Sequence, residues 1–155
     1  MKTPDAYDKL MTEIDEADHD GRLSRPHIKY NEAIKLPYLV ACCKEGMRMH
    51  PSVGLSMPRY VPPGGRQIAG QYIPAGSRVG ISPQVLHLNK DIFGHDAYVY
   101  NPDRWLGDPQ GAAEMDRHML HFGAGSRTCI GKNVRILPRM NCIDRCRSHS
   151  RKSIR

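Results

Sequence analysis

The placement of proline and glycine constrains this chain before any other feature does. Proline fixes φ and has no N–H to donate, so it opens helices and ends them, while glycine permits backbone angles closed to other residues. Residues 37–50 read PYLVACCKEGMRMH, with Pro37 at the front and Pro51 directly behind. That arrangement predicts one helix, opened by Pro37 and stopped by Pro51. Beyond residue 51 the text breaks into SMPRYV, RQIAGQYI and SRVGIS, separated by proline and glycine at 62–65 and 74–76. These segments predict small antiparallel strands joined by turns. The chain is therefore expected to be mainly α with a small antiparallel β region, an α+β fold.

Residues 5–17 place Tyr7, Leu10, Met11 and Ile14 at the i, i+3, i+4, i+7 spacing of an amphipathic helix. A polar loop is expected over 18–26 and a short helix in PHIKYNEAI. Residues 87–119 lack periodicity and are rich in Asp, Pro and Gly, so they read as a long loop with short helical turns. At 155 residues, with 39% hydrophobic and 25% charged, the composition suits one globular domain and excludes a mostly disordered chain. The notable apolar run, residues 36–40, is far too short to span a bilayer, and MKTPDAYDKL lacks a signal-peptide core. With no targeting or membrane segment, the expected location is cytoplasmic. Five cysteines without a CxxC pair support neither a disulfide framework nor a zinc site. The formal charge is +7, but residues 138–155 hold six basic residues against the single Asp144, so +5 sits there and +2 on the first 137. A basic tail without aromatic interleaving argues against nucleic-acid binding.

Two local patterns carry chemistry. Glu45 and Arg48 stand three apart on the predicted helix, hence on one face. They are either a solvated surface pair or, given Leu39, Val40, Ala41, Cys42, Met47 and Met49 around them, a buried pair that needs further partners. Residues 121–133, HFGAGSRTCIGKN, surround Cys129 with three glycines. Glu45 and Arg48 in KEGMRMHP, Pro102 to Trp105 in NPDRW, and Phe122, Gly123, Gly125, Arg127, Cys129 and Gly131 in FGAGSRTCIG come in an order and spacing that resemble the C-terminal part of cytochrome P-450 haem-thiolate monooxygenases. GQYIPAGSRVGISPQVLHLNKDIFG is similar to the fungal secondary-metabolism and pisatin-demethylase-like branches of that family. The likeness runs to about Leu137.

The resemblance implies the C-terminal portion of the P-450 fold, haem b as cofactor, and Cys129 as the axial ligand of its iron. A thiolate ligand must be deprotonated near neutral pH, which calls for nearby donors and positive potential. A glycine-bent loop supplies amides, and a helix starting in IGKNVRIL would add its N-terminal dipole. By the same likeness Phe122 would pack beside the thiolate, Arg127 and Arg59 would pair with haem propionates, and Gly131 would let the following helix approach the macrocycle. Glu45, Arg48 and Arg104 would form a buried network fixing the cysteine loop, a structural and not a catalytic role. Other readings stand beside these: Phe122 as core, Arg127 and Arg59 as solvated, Cys129 as a small buried hydrophobe. His87 falls in the family's position, while Leu88 replaces its usual arginine, which removes a propionate contact from that side. Residues 53–57, VGLSM, would line the substrate side or simply fill core.

The implied reaction inserts one oxygen atom from O2 into a lipophilic organic substrate, with electrons from NADPH through a cytochrome reductase. Lys132 and Arg135 are candidates for docking that partner. Full-length relatives carry an endoplasmic-reticulum anchor, face the cytosol, and have a distal helix delivering protons, so no catalytic residue is nominated here. The expected organisation is a partial, truncated P-450 domain over 1–137 and a basic, disordered tail over 138–155, where Pro138 interrupts the helix and the sequence departs from the family. A non-catalytic remnant or a small basic binding protein is the alternative.

Overall fold

The computed structural model describes residues 3–24 and 26–132. The expected boundary at 137, the tail, Arg135, Pro138 and the continuation of a helix past Lys132 lie outside those residues. Three helices come first: α1 (Pro4–His19), the short α2 (Tyr30–Ala33) and α3 (Pro37–Met49). Met11, Ile14 and Ala17 form the buried stripe of α1, and they pack with Leu23, Ile28, Ala33, Leu36 and Leu39 in one apolar core. The periodicity expected from the sequence is thus the face that α1 turns toward α3.

Helix α3 starts where Pro37 places it, yet its N-cap residue, Leu36, offers no side-chain oxygen. The orphan amides of its first turn are met from α1. Glu13 Oε1 accepts from Tyr38 N at 2.8 Å and Oε2 from Leu39 N at 2.9 Å. A carboxylate at this end also complements the helix dipole. One side of α3 therefore closes the first core through Leu39, and Ala41 enters a second core of Phe93, Ala97, Trp105, Met115 and Met119.

Four strands follow: β1 (Met57–Tyr60), β2 (Arg66–Ile68), β3 (Gln71–Ile73) and β4 (Arg78–Ile81). RQIAGQYI, expected as a single strand, is instead a hairpin of β2 and β3 pairing Arg66 with Ile73 and Ile68 with Gln71. Ala69 at φ +50° and Gly70 at φ +81° make its turn, since a two-residue hairpin needs positive φ. Strand β1 skips that hairpin and pairs antiparallel with β4, Met57 opposite Ile81 and Tyr60 opposite Arg78.

Residues 87–119 hold more order than their composition suggests. Just behind the single-turn helix α4 (Pro83–Leu86), the single-turn α5 (Lys90–Phe93) leads to a 3-10 turn at Pro102–Trp105 and then to α6 (Pro109–Arg117). Asp108 caps α6 by accepting from Gln110 N at 3.0 Å and Gly111 N at 2.8 Å, with Pro109 in the first turn. Lys44 of α3 bonds Asp116 of α6 at 3.0 Å while lying over the Trp105 ring at 5.2 Å. Ordinary capping and packing thus build a helix inside text that looked like loop.

Candidate functional site

The floor of the site is built on the last turns of α3. Glu45 and Arg48 are both fully buried. Arg48 grips the carboxylate with two parallel bonds, Nε to Oε2 at 2.9 Å and Nη2 to Oε1 at 2.8 Å. The same carboxylate accepts from Arg104 Nε at 3.1 Å, Trp105 Nε1 at 3.0 Å and the backbone N–H of Asn101 at 3.0 Å. Two guanidiniums and two neutral donors therefore surround one anion. Burial alone would raise the Glu45 pKa, but these donors, Arg48 foremost, hold it below the usual carboxylate range.

The remaining guanidinium donors reach irregular backbone. Arg48 Nη1 donates to the carbonyls of His87 at 2.7 Å and Ala97 at 2.6 Å, and Nη2 to that of Val99 at 3.2 Å. Arg104 Nη1 bonds Asp96 Oδ1 at 2.9 Å and the Phe93 carbonyl, and Nη2 reaches the Asp96 carbonyl at 3.1 Å. Asn101 Nδ2 holds the other Asp96 oxygen at 3.0 Å. Burial works against the Asp96 charge, but Asn101 and Arg104 outweigh it and keep its pKa low. Residues 87–104 have little regular structure, and these side chains take the place of a ladder for their carbonyls.

The cysteine loop sits at the other end of the site. Gly123, at φ +73°, turns the chain after Phe122, and its N–H donates to the Leu120 carbonyl at 2.8 Å. A Cβ at Gly123 would lie 3.4 Å from the Arg127 carbonyl and 3.7 Å from Met57 Sδ, so β1 borders the loop. The loop is closed by Cys129 N–H donating to the Phe122 carbonyl at 2.8 Å. Between these ends runs the 3-10 turn Gly125–Arg127, where Gly125 has φ +64°. Phe122 is buried against the His121 ring, 4.3 Å between centroids. Arg127 and Lys132 are exposed, Cys129 is a free, half-buried thiol, and Ile130 next to it is fully exposed. A Cβ on Gly131 would stand 3.8 Å from Cys129 Sγ, so glycine keeps the space beside the sulfur clear.

Arg59 is exposed on β1 and donates to its own neighbour's carbonyl, Pro58 O, at 3.0 Å. Strand alternation nevertheless puts it on the face of β1 that carries Met57, the face toward the loop. Val53 and Leu55, ahead of β1, are exposed. The structure therefore joins Glu45, Arg48 and Arg104 in one cluster and Phe122, Gly123, Gly125, Arg127, Cys129 and Gly131 in one loop, with Arg59 on the adjoining strand.

Sequence reasoning missed Trp105, Asn101 and Asp96 as members of the cluster, and gave His87 no task. His87 is fully buried, with Nδ1 3.1 Å from the Arg48 carbonyl and Nε2 accepting from Leu120 N–H at 2.8 Å. No local periodicity signals these partners, because they lie in short or irregular segments far along the chain from Glu45 and Arg48.

The described geometry is a half-buried free thiol on a glycine-bent loop beside a buried Glu-Arg-Arg cluster, and the sequence comparison gives the family. The cytochrome P450 family model matches residues 1–137, and the chain belongs to that family. A cytochrome P450 monooxygenase of Alternaria alternata is 46% identical over 134 residues, 86% of this chain and 36% of the relative. Others from Aspergillus flavus and Emericella nidulans are 39% and 41% identical over 86% and 88% of this chain, and 26% and 27% of their own lengths. The chain thus spans between about a quarter and about a third of these curated relatives. The family is one of haem proteins that generally use a redox partner and lipophilic substrates. Among the described residues no helix is long and apolar enough to cross a membrane.

Proposed function

We propose that this chain supplies the haem-binding, thiolate end of a monooxygenase that inserts one oxygen atom from O2 into a lipophilic organic substrate, in fungal secondary metabolism or detoxification. The observation that carries the reading is the setting of Cys129. The residue is half-buried with a free thiol, the neighbouring glycine leaves room beside the sulfur, and no group of three or more His, Cys, Asp or Glu that could hold a metal occurs among the described residues. A single protein donor suits an iron whose other ligands come from a macrocycle, so the residues present fit haem.

Cys129 would hold the iron, Phe122 and Gly131 would border the macrocycle, and Arg127 and Arg59 would meet its propionates. Bound haem would supply O2 activation, which thiolate ligation favours by pushing electron density toward O–O cleavage. Two electrons from NADPH through a reductase and two protons balance the reaction, reducing the second oxygen atom to water. Lys132, exposed beside the ligand loop, is suited to an acidic reductase surface. Glu45, Arg48 and Arg104 hold the backbone behind the loop and touch no reacting atom. The likeness to cytochrome P450 monooxygenases of fungi supports the reaction class.

The test is the absorbance of the haem-loaded, reduced, carbon-monoxide-bound protein. A thiolate-type Soret band that disappears in Cys129→Ala is expected. Haem uptake unaffected by that substitution, or no uptake at all, overturns the reading for this chain.

A further inference from the structure

We propose that His87 is a positioning residue that sets the cysteine loop against α3. The side chain bridges two segments that no regular element joins. At one end its Nδ1 lies 3.1 Å from the Arg48 carbonyl, in the last turn of α3. At the other its Nε2 lies 2.8 Å from Leu120 N. An amide N–H can only donate, so Nε2 must be the bare nitrogen. The ring is then neutral, with its proton on Nδ1 donated to Arg48 O. Arg48 returns the contact, since its Nη1 donates to the His87 carbonyl at 2.7 Å.

From Leu120 the tie continues into the loop. The Leu120 carbonyl accepts from Gly123 N–H at 2.8 Å, and the Phe122 carbonyl accepts from Cys129 N–H at 2.8 Å. Hydrogen bonds joined by short stretches of backbone therefore connect the Glu45–Arg48 pair through His87 to the backbone of Cys129. Shape alone would not need an imidazole here, because an apolar ring could pack edge-on to Phe93, whose centroid is 6.2 Å away. What an apolar ring could not do is donate to α3 and accept from Leu120 at once. The relevance of this tie to a haem ligand rests on the function proposed above; the tie itself does not.

Two substitutions separate its halves. His87→Gln can keep an acceptor near the Nε2 position, while His87→Asn keeps a donor near Nδ1 and loses the reach to Leu120. The readouts, taken on the chain without haem, are hydrogen exchange at Leu120 and the alkylation rate of Cys129 by iodoacetamide, followed peptide by peptide. Each variant breaks one end of the tie, so alkylation of Cys129 should quicken about fivefold to tenfold in both, while exchange at Leu120 should quicken by that factor in His87→Asn and by less than about twofold in His87→Gln, which keeps the acceptor. Leu120 exchange that changes equally in both variants, or Cys129 alkylation that changes in neither, overturns the proposal. If a variant does not fold, the nitrogen shifts of His87 in the unaltered protein decide: an Nδ1–H tautomer supports the tie, and an Nε2–H tautomer sinks it. Failure of haem uptake with the tie intact would count against the monooxygenase reading alone.

Discussion

The Glu45 cluster and the cysteine loop are linked through His87 and are opposite in construction. In the cluster the charged groups of Glu45 and Arg48 are fully buried and their hydrogen bonds end on protein atoms. In the loop the shape is held by backbone bonds, while the side chains of Arg127 and Ile130 face outward. The difference teaches that rigidity and reactivity have been assigned to different segments. A buried ion cluster adds little net stability over an apolar core, but it is intolerant of losing one member, so it specifies one arrangement of residues 87–104. The loop can then present groups to something other than the protein without having to define its own position.

The comparison is broken most directly at its centre. Glu45→Ala would strand two arginines, the Trp105 N–H and the Asn101 N–H, and should cost about 3–5 kcal/mol. Urea unfolding is expected to show little or no folded chain; a loss below about 1 kcal/mol would mean the cluster is not the anchor described.

Acid reaches the same groups by protonation. Burial lowers the His87 pKa from its ordinary 6.5, and Glu45 and Asp96 lie below their ordinary 4.5 and 3.8. In each case the unfolded chain takes up protons first as pH falls. The stability these groups contribute is full above the unfolded values and is lost downward through the folded ones. Unfolding free energy should therefore begin to decline below about pH 6.5 and fall more steeply below about 4.5, as carboxylates titrate in the unfolded chain. Denaturant midpoints that stay level down to pH 4 would contradict this assignment.

Smaller effects belong to the loop. Gly123→Ala forces a Cβ into positive φ and toward the Arg127 carbonyl, a cost of about 1–2 kcal/mol, so the melting temperature drops while the chain remains folded. Arg127→Ala should shift stability by no more than about 0.5 kcal/mol, because its side chain is exposed, yet it should weaken haem retention. A thermal melt that moves by many degrees would erase the distinction between loop and cluster.

What the sequence made legible follows from the range of the forces involved. Helix α1 and helix α3 are local matters of apolar spacing and proline, and both were expected within a few residues. The β1–β4 pairing skips a hairpin, and no local pattern encodes which strand another will choose. Helix α6 was legible in principle, since Asp108 and Pro109 form a helix-start signal, but glycines and prolines around it suggested loop. Glu45 and Arg48 were visible as a pair, and the resemblance added Arg104; the further partners of Arg48 are carbonyls of irregular backbone, which carry no residue-type signature. For the cysteine loop the text showed the glycines, whereas the tie from His87 to Leu120 spans 33 residues and emerges only in three dimensions.

The contact of Glu13 with the first amides of α3 bears on how this region can change length. Because the start of α3 is held by a side chain from α1, the reference point for Glu45 is the neighbouring helix, not the connecting segment. A residue inserted at the exposed Asp20–Gly21 turn should be taken up as slack in the connection, leaving the register between the two helices unaltered. Swapping Glu13 for alanine would remove that reference, and the connection would begin to steer the helix it now only follows.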